Sequence, residues 1–178
     1  MRNARERILD CAERLVTRDG VAHLTLDAVA AEAGISKGGV LYHFASKDAL
    51  VGAMVERLVA RFDAALATET ARDADPHGRF ARAYRRATFP TDGAGSDARV
   101  SAAILAAAGN DPRLLQPLRD RYTAWQQQRG NEVDPAATLA VQLAVDGLWM
   151  WELFGFPTPA ADLKARVFEL LDAWTRNV

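Results

Sequence analysis

Ser36, Lys37, Gly38 and Gly39 are consecutive, and Leu41, Tyr42 and His43 follow within about one helical turn. A serine capping a short helix leaves backbone N–H groups and the positive helix end pointing outward, which is a grip for a phosphate. Thr25 offers the same grip at the start of a preceding short helix. Two adjacent glycines let the backbone come close to another molecule, and Lys37 beside them brings a positive charge. Leu41 cannot hydrogen-bond a base, but it can pack on a thymine methyl group. Tyr42 pairs an aromatic face with a hydroxyl suited to a nucleic-acid backbone. Lys47 opens the next helix, where its charge opposes the helix dipole, so it is better explained by a phosphate outside the helix. These residue types suit contact with nucleic acid, not bond breaking.

Catalytic chemistry finds no comparable constellation. His23, His43 and His77 are scattered, Cys11 is the single cysteine, and no glycine-rich loop follows a strand. Asp73, Asp75 and His77 fall in an expected turn around Pro76, where a solvated loop explains them. Neither an enzyme nor a cofactor is expected, and Cys11, on an apolar helical face, is read as a core thiol.

The elements that must hold these residues are all helical. Apolar side chains recur at about 3.6 residues, as in Ile8, Cys11, Ala12, Leu15 and Val16, or Leu163, Val167, Leu170, Leu171 and Trp174. Asp75-Pro76, Asp111-Pro112, Asp134-Pro135 and Thr158-Pro159 each suggest a cap followed by proline at the first helical position. Gly20, Gly34, Gly109, Gly130 and Gly155 stand where helices should stop. The expected fold is all-α, with about nine helices near 3–19, 26–33, 37–43, 47–69, 76–88, 97–108, 112–129, 135–154 and 159–176. Pro90 to Ser96 is expected to be a mobile connection. The expected division is a DNA-binding module over 1–46 and a larger module over 47–178.

Within residues 25–44, helix, Gly34 turn and second helix form a helix-turn-helix pattern. Leu26, Val29 and Ala30 should face the first helix while Ile35, Val40 and Phe44 close the core, leaving Lys37, Gly38, Leu41 and Tyr42 free. Charge does not advertise this role. The chain holds 22 basic and 23 acidic residues, and the first fifty residues hold seven of each, so placement has to replace a basic footprint.

The run Gly34-Ile35-Ser36-Lys37-Gly38-Gly39-Val40-Leu41-Tyr42-His43-Phe44-Ala45-Ser46-Lys47-Asp48-Ala49-Leu50 closely resembles the TetR family of bacterial repressors, and the likeness extends over residues 8–58. It implies phosphate contacts from Thr25, Ser36, Tyr42 and Lys47, and groove contacts from Lys37, Gly38, Gly39, Leu41 and His43. Leu41 departs from the tyrosine common at that position, which makes it a candidate for setting this protein's own operator. The resemblance also implies a dimeric repressor released from a palindromic operator by a small molecule. The alternative is a ligand-independent or architectural DNA-binding protein, or an activator working through a protein partner.

In the larger module, Ala136 to Phe154 is nearly all apolar, with Thr138, Gln142 and Asp146 as one polar stripe. A charged residue within it argues against a membrane span. The charged N-terminus suits no signal peptide, so a cytoplasmic location is expected. Ala136, Ala140, Ala144 and Gly147, with Leu148 and Trp151, form a face for another helix. With Leu163, Val167, Leu170, Leu171 and Trp174 of the last helix they are the expected four-helix dimer contact. Aromatic residues cluster here too, including Phe80 and Phe154. Phe62, Tyr84, Tyr122, Trp125 and Trp149 are the candidate walls of an apolar effector site, with Gln126, Gln142 and Asp146 as orienting groups.

Overall fold

The computed structural model describes residues 3–90, 98–109, 111–130 and 134–176. Among them all regular structure is helical: α1 (Ala4–Asp19), α2 (Leu26–Ala33), α3 (Lys37–His43), α4 (Lys47–Arg72), α5 (Arg79–Thr88), α6 (Ala98–Ala108), α7 (Gln116–Gly130), α8 (Pro135–Leu153) and α9 (Ala161–Trp174). Single 3-10 turns occupy Val21–His23 and Pro112–Leu115. The connection expected over Pro90–Ser96 lies, apart from Pro90, outside the described residues.

Packing divides the chain into two compact units, one of residues 1–59 with 99–119 and one of 60–98 with 120–178. That division differs from the one expected at 46/47. Leu50, Val51, Met54 and Val55 of α4, with Ile104 and Ala108 of α6, share one core with Ile8, Leu15, Val29, Val40 and Phe44. A module of three short helices buries too little apolar surface alone, and these later segments complete it. Cys11 is buried in this core. Arg57 of α4 reaches α1 from the same unit, pairing with Asp10 and lying 3.6 Å from both Glu6 and Glu13.

In the second unit, Leu66, Phe80, Ala81, Tyr84, Trp125, Val141, Val145 and Leu171 form the core, and α5 packs on α8 and α9. Arg82 of α5 is almost wholly buried, yet each of its five guanidinium N–H groups has an acceptor. Nε and Nη2 donate to Asp73 at 2.9 Å, Nη1 to the His77 carbonyl at 2.7 Å and the Thr175 hydroxyl at 3.0 Å, and Nη2 also to the Asp75 carbonyl at 3.0 Å.

Of the four Asp/Thr-Pro starts, one opens an α-helix as expected, one opens a 3-10 turn and two open no helix. Asp134 accepts from the N–H groups of Ala136 and Ala137 and Pro135 opens α8, whereas Pro112 opens only a 3-10 turn before α7 begins at Gln116. Asp75 turns back to accept from His77 N at 3.0 Å, so Pro76 lies in a turn and α5 starts only after Gly78. Gly78 has φ +63°, and a Cβ there would lie 2.4 Å from the Thr175 side chain, so glycine is what this junction admits. Thr158-Pro159 precedes α9 without capping it, since Ala160 is its N-terminal neighbour. Gly20, Gly34 and Gly155 do take positive φ past helix ends, but Gly109 does not, and α7 runs on to include Gly130.

Asp73 receives Arg82 and, at 2.7 Å, Arg86, and these guanidinium groups hold its carboxyl well below the usual carboxylate range against the opposing effect of burial. A carboxyl lowered on folding stabilises the protein above its unfolded pKa, near 4, and that contribution disappears as pH falls through the folded value. Asp73→Asn is therefore expected to lower the thermal midpoint clearly at pH 7, the cost of breaking a buried pair being about 3–5 kcal/mol. The gap to wild type should narrow as melts are repeated from pH 4 towards pH 2.

Candidate nucleic-acid interface and effector cluster

The turn between α2 and α3 is fixed by Gly34 in the left-handed conformation (φ 66°, ψ 35°) and by Ile35 N donating to the Ala30 carbonyl at 3.0 Å. Val40 and Phe44 are buried, so the opposite face of α3 is presented to solvent. There Tyr42 is 85% exposed and Leu41 40%, and Lys37 and Gly38 are also exposed. Gly39 and His43 are half-buried, with the His43 ring meeting Tyr42 edge-on at 5.0 Å.

Thr25 and Ser36 act as caps. Thr25 Oγ1 accepts from Ala28 N at 3.1 Å and Ser36 Oγ from Gly39 N at 3.1 Å. Each hydroxyl keeps its proton for an outside acceptor. Ser46 caps α4 in the same way, and Lys47 beside it is exposed. The two glycines are informative because the fold makes no demand for them. A Cβ on Gly38 would meet only Ser36 Oγ at 3.8 Å, and on Gly39 only ordinary contacts from 3.5 Å outward. Glycine inside a helix costs about 1 kcal/mol relative to alanine, so two in seven residues are explained by what approaches from outside. The nine expected contact residues thus fall on the N-cap of α2, the N-cap and body of α3 and the start of α4. Two neighbours did not stand out in the sequence. Asp27 holds Lys37 at 2.8 Å, and the Arg5 guanidinium lies over Phe44 at 5.3 Å. No helical spacing links either pair, so only the folded turn reveals them.

In the second unit the rings of Phe62, Tyr84, Tyr122 and Trp125 meet. Ring centroids are 5.3 Å apart for Phe62–Tyr84, 5.1 Å for Phe62–Trp125, 5.6 Å for Tyr84–Trp125 and 5.0 Å for Tyr122–Trp125, all edge-on. Asp146 reaches the same cluster: Tyr84 donates to Oδ1 at 2.6 Å and Tyr122 to Oδ2 at 3.3 Å. Burial pushes the Asp146 carboxyl up, the two hydroxyls partly countering it, and burial pushes Tyr122 up to about 12. Gln142 is buried and accepts from Arg129 at 2.9 Å, Gln126 is exposed, and Trp149 is half-buried. Asp63, which the sequence did not single out, accepts from Trp125 Nε1 at 3.3 Å and Arg121 at 2.6 Å.

The expected association residues divide. Trp151, Leu163, Leu170 and Trp174 are about half exposed, Ala136 and Ala140 are exposed, and a Cβ on Gly147 would meet nothing. Ala144 and Leu148 are half-buried. Leu171, by contrast, belongs to the unit's own core, where Val167 packs against it, so neither offers its side chain outward. Leu139, Leu143, Met150 and Phe154 of the α8 region add to the exposed set.

A helix-turn-helix with a capped, glycine-rich and exposed second helix defines the class of DNA-binding regulators. The chain belongs to the TetR family: residues 8–54 match the bacterial regulatory proteins of the tetR family, and residues 78–176 match the tetracyclin repressor-like C-terminal domain. The HTH-type transcriptional regulator TtgR of Pseudomonas putida is 37% identical over 75 residues, 42% of this chain but 36% of that relative's length. Among solved structures, the multidrug binding protein EbrR complexed with malachite green is 27% identical with a TM-score of 0.68, covering 96% of this chain and 97% of that one. A regulator from Streptomyces coelicolor A3(2), 18% identical over 97% of this chain and 98% of its own, shares the fold with a TM-score of 0.71. Proteins of this family are regulators that bind DNA, not enzymes. Among the described residues no helix is long and apolar enough to cross a membrane.

Asp146 works opposite to Asp73. Its folded pKa lies above the unfolded one, so it opposes folding progressively as pH rises from about 4 through the folded value. Asp146→Asn keeps an acceptor for the tyrosines without a charge. Thermal melts should show its midpoint rising relative to wild type as pH increases over that range.

Proposed function

We propose that the protein is a homodimeric repressor of the cytoplasm. It binds a palindromic operator through Thr25, Ser36, Lys37, Gly38, Gly39, Leu41, Tyr42, His43 and Lys47, and a small, largely apolar ligand releases it. The observation that carries this reading is the exposed face of α3, where two glycines that the fold does not require stand beside Leu41 and an almost fully exposed Tyr42. One seven-residue helix contacts few bases, and two such helices read successive major grooves when held about 34–36 Å apart by a dimer.

The dimer is supported by where apolar surface is left uncovered. Of the eleven large hydrophobic side chains exposed among the described residues, nine lie on α8, α9 or the segment joining them. Leu163, Leu170 and Trp174 follow one stripe of α9, and Leu139, Leu143, Met150 and Phe154 one stripe of the α8 region. Apolar faces of this extent mark association surfaces.

For the ligand, Phe62, Tyr84, Tyr122 and Trp125 supply apolar walls, with Trp149, Gln126 and Gln142 as further candidates. Asp146 supplies the polar anchor, and its hydrogen-bond partners among the described residues are the two tyrosine hydroxyls, with no cation among them. A flat aromatic ligand bearing positive charge fits, because rings and a buried carboxylate both attract it. EbrR has been solved with malachite green, ethidium and proflavin, which supports an aromatic ligand class. Phe62 and Lys47 lie on the same helix, α4, so a ligand favouring one placement of α4 shifts the population able to bind DNA.

Purified protein tested on the DNA flanking its own gene should sediment as a dimer and protect a palindrome. A monomer at micromolar concentration that still binds the operator would remove the dimer from this account. Malachite green and proflavin are the probes for release: either should quench tryptophan fluorescence and weaken operator binding, and binding without loss of operator affinity would refute ligand release. Leu41→Ala should leave the fold intact and relax base preference at one operator position by about fivefold or more.

A further inference from the structure

We propose that Asp27 and Lys37 act together to read one G·C base pair in each half-site, Lys37 donating to the guanine and Asp27 accepting from the cytosine. This rests on α3 being the helix that enters the major groove.

Lys37 Nζ and Asp27 Oδ2 are 2.8 Å apart, and the two side chains are 55% and 68% exposed. They open consecutive helices, Lys37 at the first position of α3 and Asp27 at the second of α2, so the turn sets their two side chains next to each other. In the major groove a G·C pair shows the guanine O6 and N7 acceptors beside the cytosine N4 donor. Cytosine N4 donates a hydrogen bond to guanine O6, so acceptor and donor sit about 2.9 Å apart. The protein's donor and acceptor stand at the same spacing in complementary order.

Fold stability does not account for the pair. Exposed ion pairs contribute little to stability, so both groups can turn from each other to a base edge at little cost. An uncompensated carboxylate beside the lysine of the reading helix would repel phosphates, in a module whose basic residues only equal its acidic ones. That repulsion is offset if the carboxylate has a base donor to accept from. Arginine and lysine bonded to guanine, and aspartate accepting from cytosine N4, are both established pairings.

The arrangement predicts a particular order of preference. A T·A pair offers the thymine O4 acceptor and adenine N6 donor in the same order as G·C, but puts a methyl group where guanine has N7. The reversed pairs set donor against ammonium and acceptor against carboxylate. G·C should therefore rank first, T·A second, and A·T and C·G last.

The test is selection from a randomised duplex library with the full-length protein, followed by titration of the selected duplex and its three substitutions at each position. Wild type should show one position per half-site with this order. Asp27→Ala and Lys37→Ala should each relax that same position by about tenfold and leave the others unchanged. Asp27→Leu, close in size but with no acceptor, should also relax it, and serves if the alanine variant melts below the assay temperature. Variants that relax different positions would overturn the proposal. An Asp27→Ala variant that keeps the preference, or that binds every sequence more tightly alike, would overturn it and leave the DNA-binding role standing. Failure of wild type to select any sequence would overturn both.

Discussion

A helix of seven residues cannot hold itself together in water, because nucleating the first turn costs more than so few hydrogen bonds return. Everything α3 does therefore depends on the burial of Val40 and Phe44 against the core of its unit. These two side chains hold one face of the helix down and leave the other free. They also make tolerable the two glycines, which would melt an isolated helix. The core that receives them is assembled from distant parts of the chain, since Leu50, Met54 and Ile104 complete what α1 and α2 begin. The caps Thr25, Ser36 and Ser46 satisfy donors at three successive helix starts, so the backbone of the contact surface is fixed before any partner arrives.

The second unit shows how one residue type serves opposite ends. Asp73 and Asp146 are both largely out of water. Asp73 faces two guanidinium groups and is driven towards its charged form, which suits a brace between α5 and the chain that precedes it. Asp146 faces two hydroxyls and aromatic rings, and burial drives it towards its neutral form. A carboxyl whose charge is already matched has nothing left for a ligand. One held by hydroxyls alone can exchange them or accept a further partner. This difference in neighbours, not in residue type, drives one acid towards its charged form and the other towards its neutral form.

Exposure of apolar surface follows the same division of labour. Leu41 and Tyr42 are uncovered on α3, where a groove would cover them, and the rest are gathered on α8, α9 and their connection. Val167 and Leu171 show that the last helix serves two sides at once. Its inner stripe closes the unit, and its outer stripe, Leu163, Leu170 and Trp174, remains open.

Local chemistry was legible in the sequence. Ser36, Thr25, Gly34 and the 3.6-residue spacing decide helix starts, stops and inward faces through contacts a few residues apart, so the helix-turn-helix and its free face could be read directly. The clustering of aromatic residues also singled out Tyr84 and Trp125, with Asp146, as candidates for an effector site. What depended on distance along the chain was not legible. Pro76 looked like a helix start until Gly78 met Thr175, almost a hundred residues later, and nothing near residue 46 announced that α6 returns to complete the first core. The periodicity of α9 marks apolar positions without saying whether a given one faces its own unit or solvent, and only packing assigns Leu171 inward and Trp174 outward. Asp27 and Lys37, ten residues apart on separate helices, become partners only because the Gly34 turn brings two helix starts together. Hydrogen bonds along a helix are written in the order of residues, whereas the meeting of two helices is decided by the core they share.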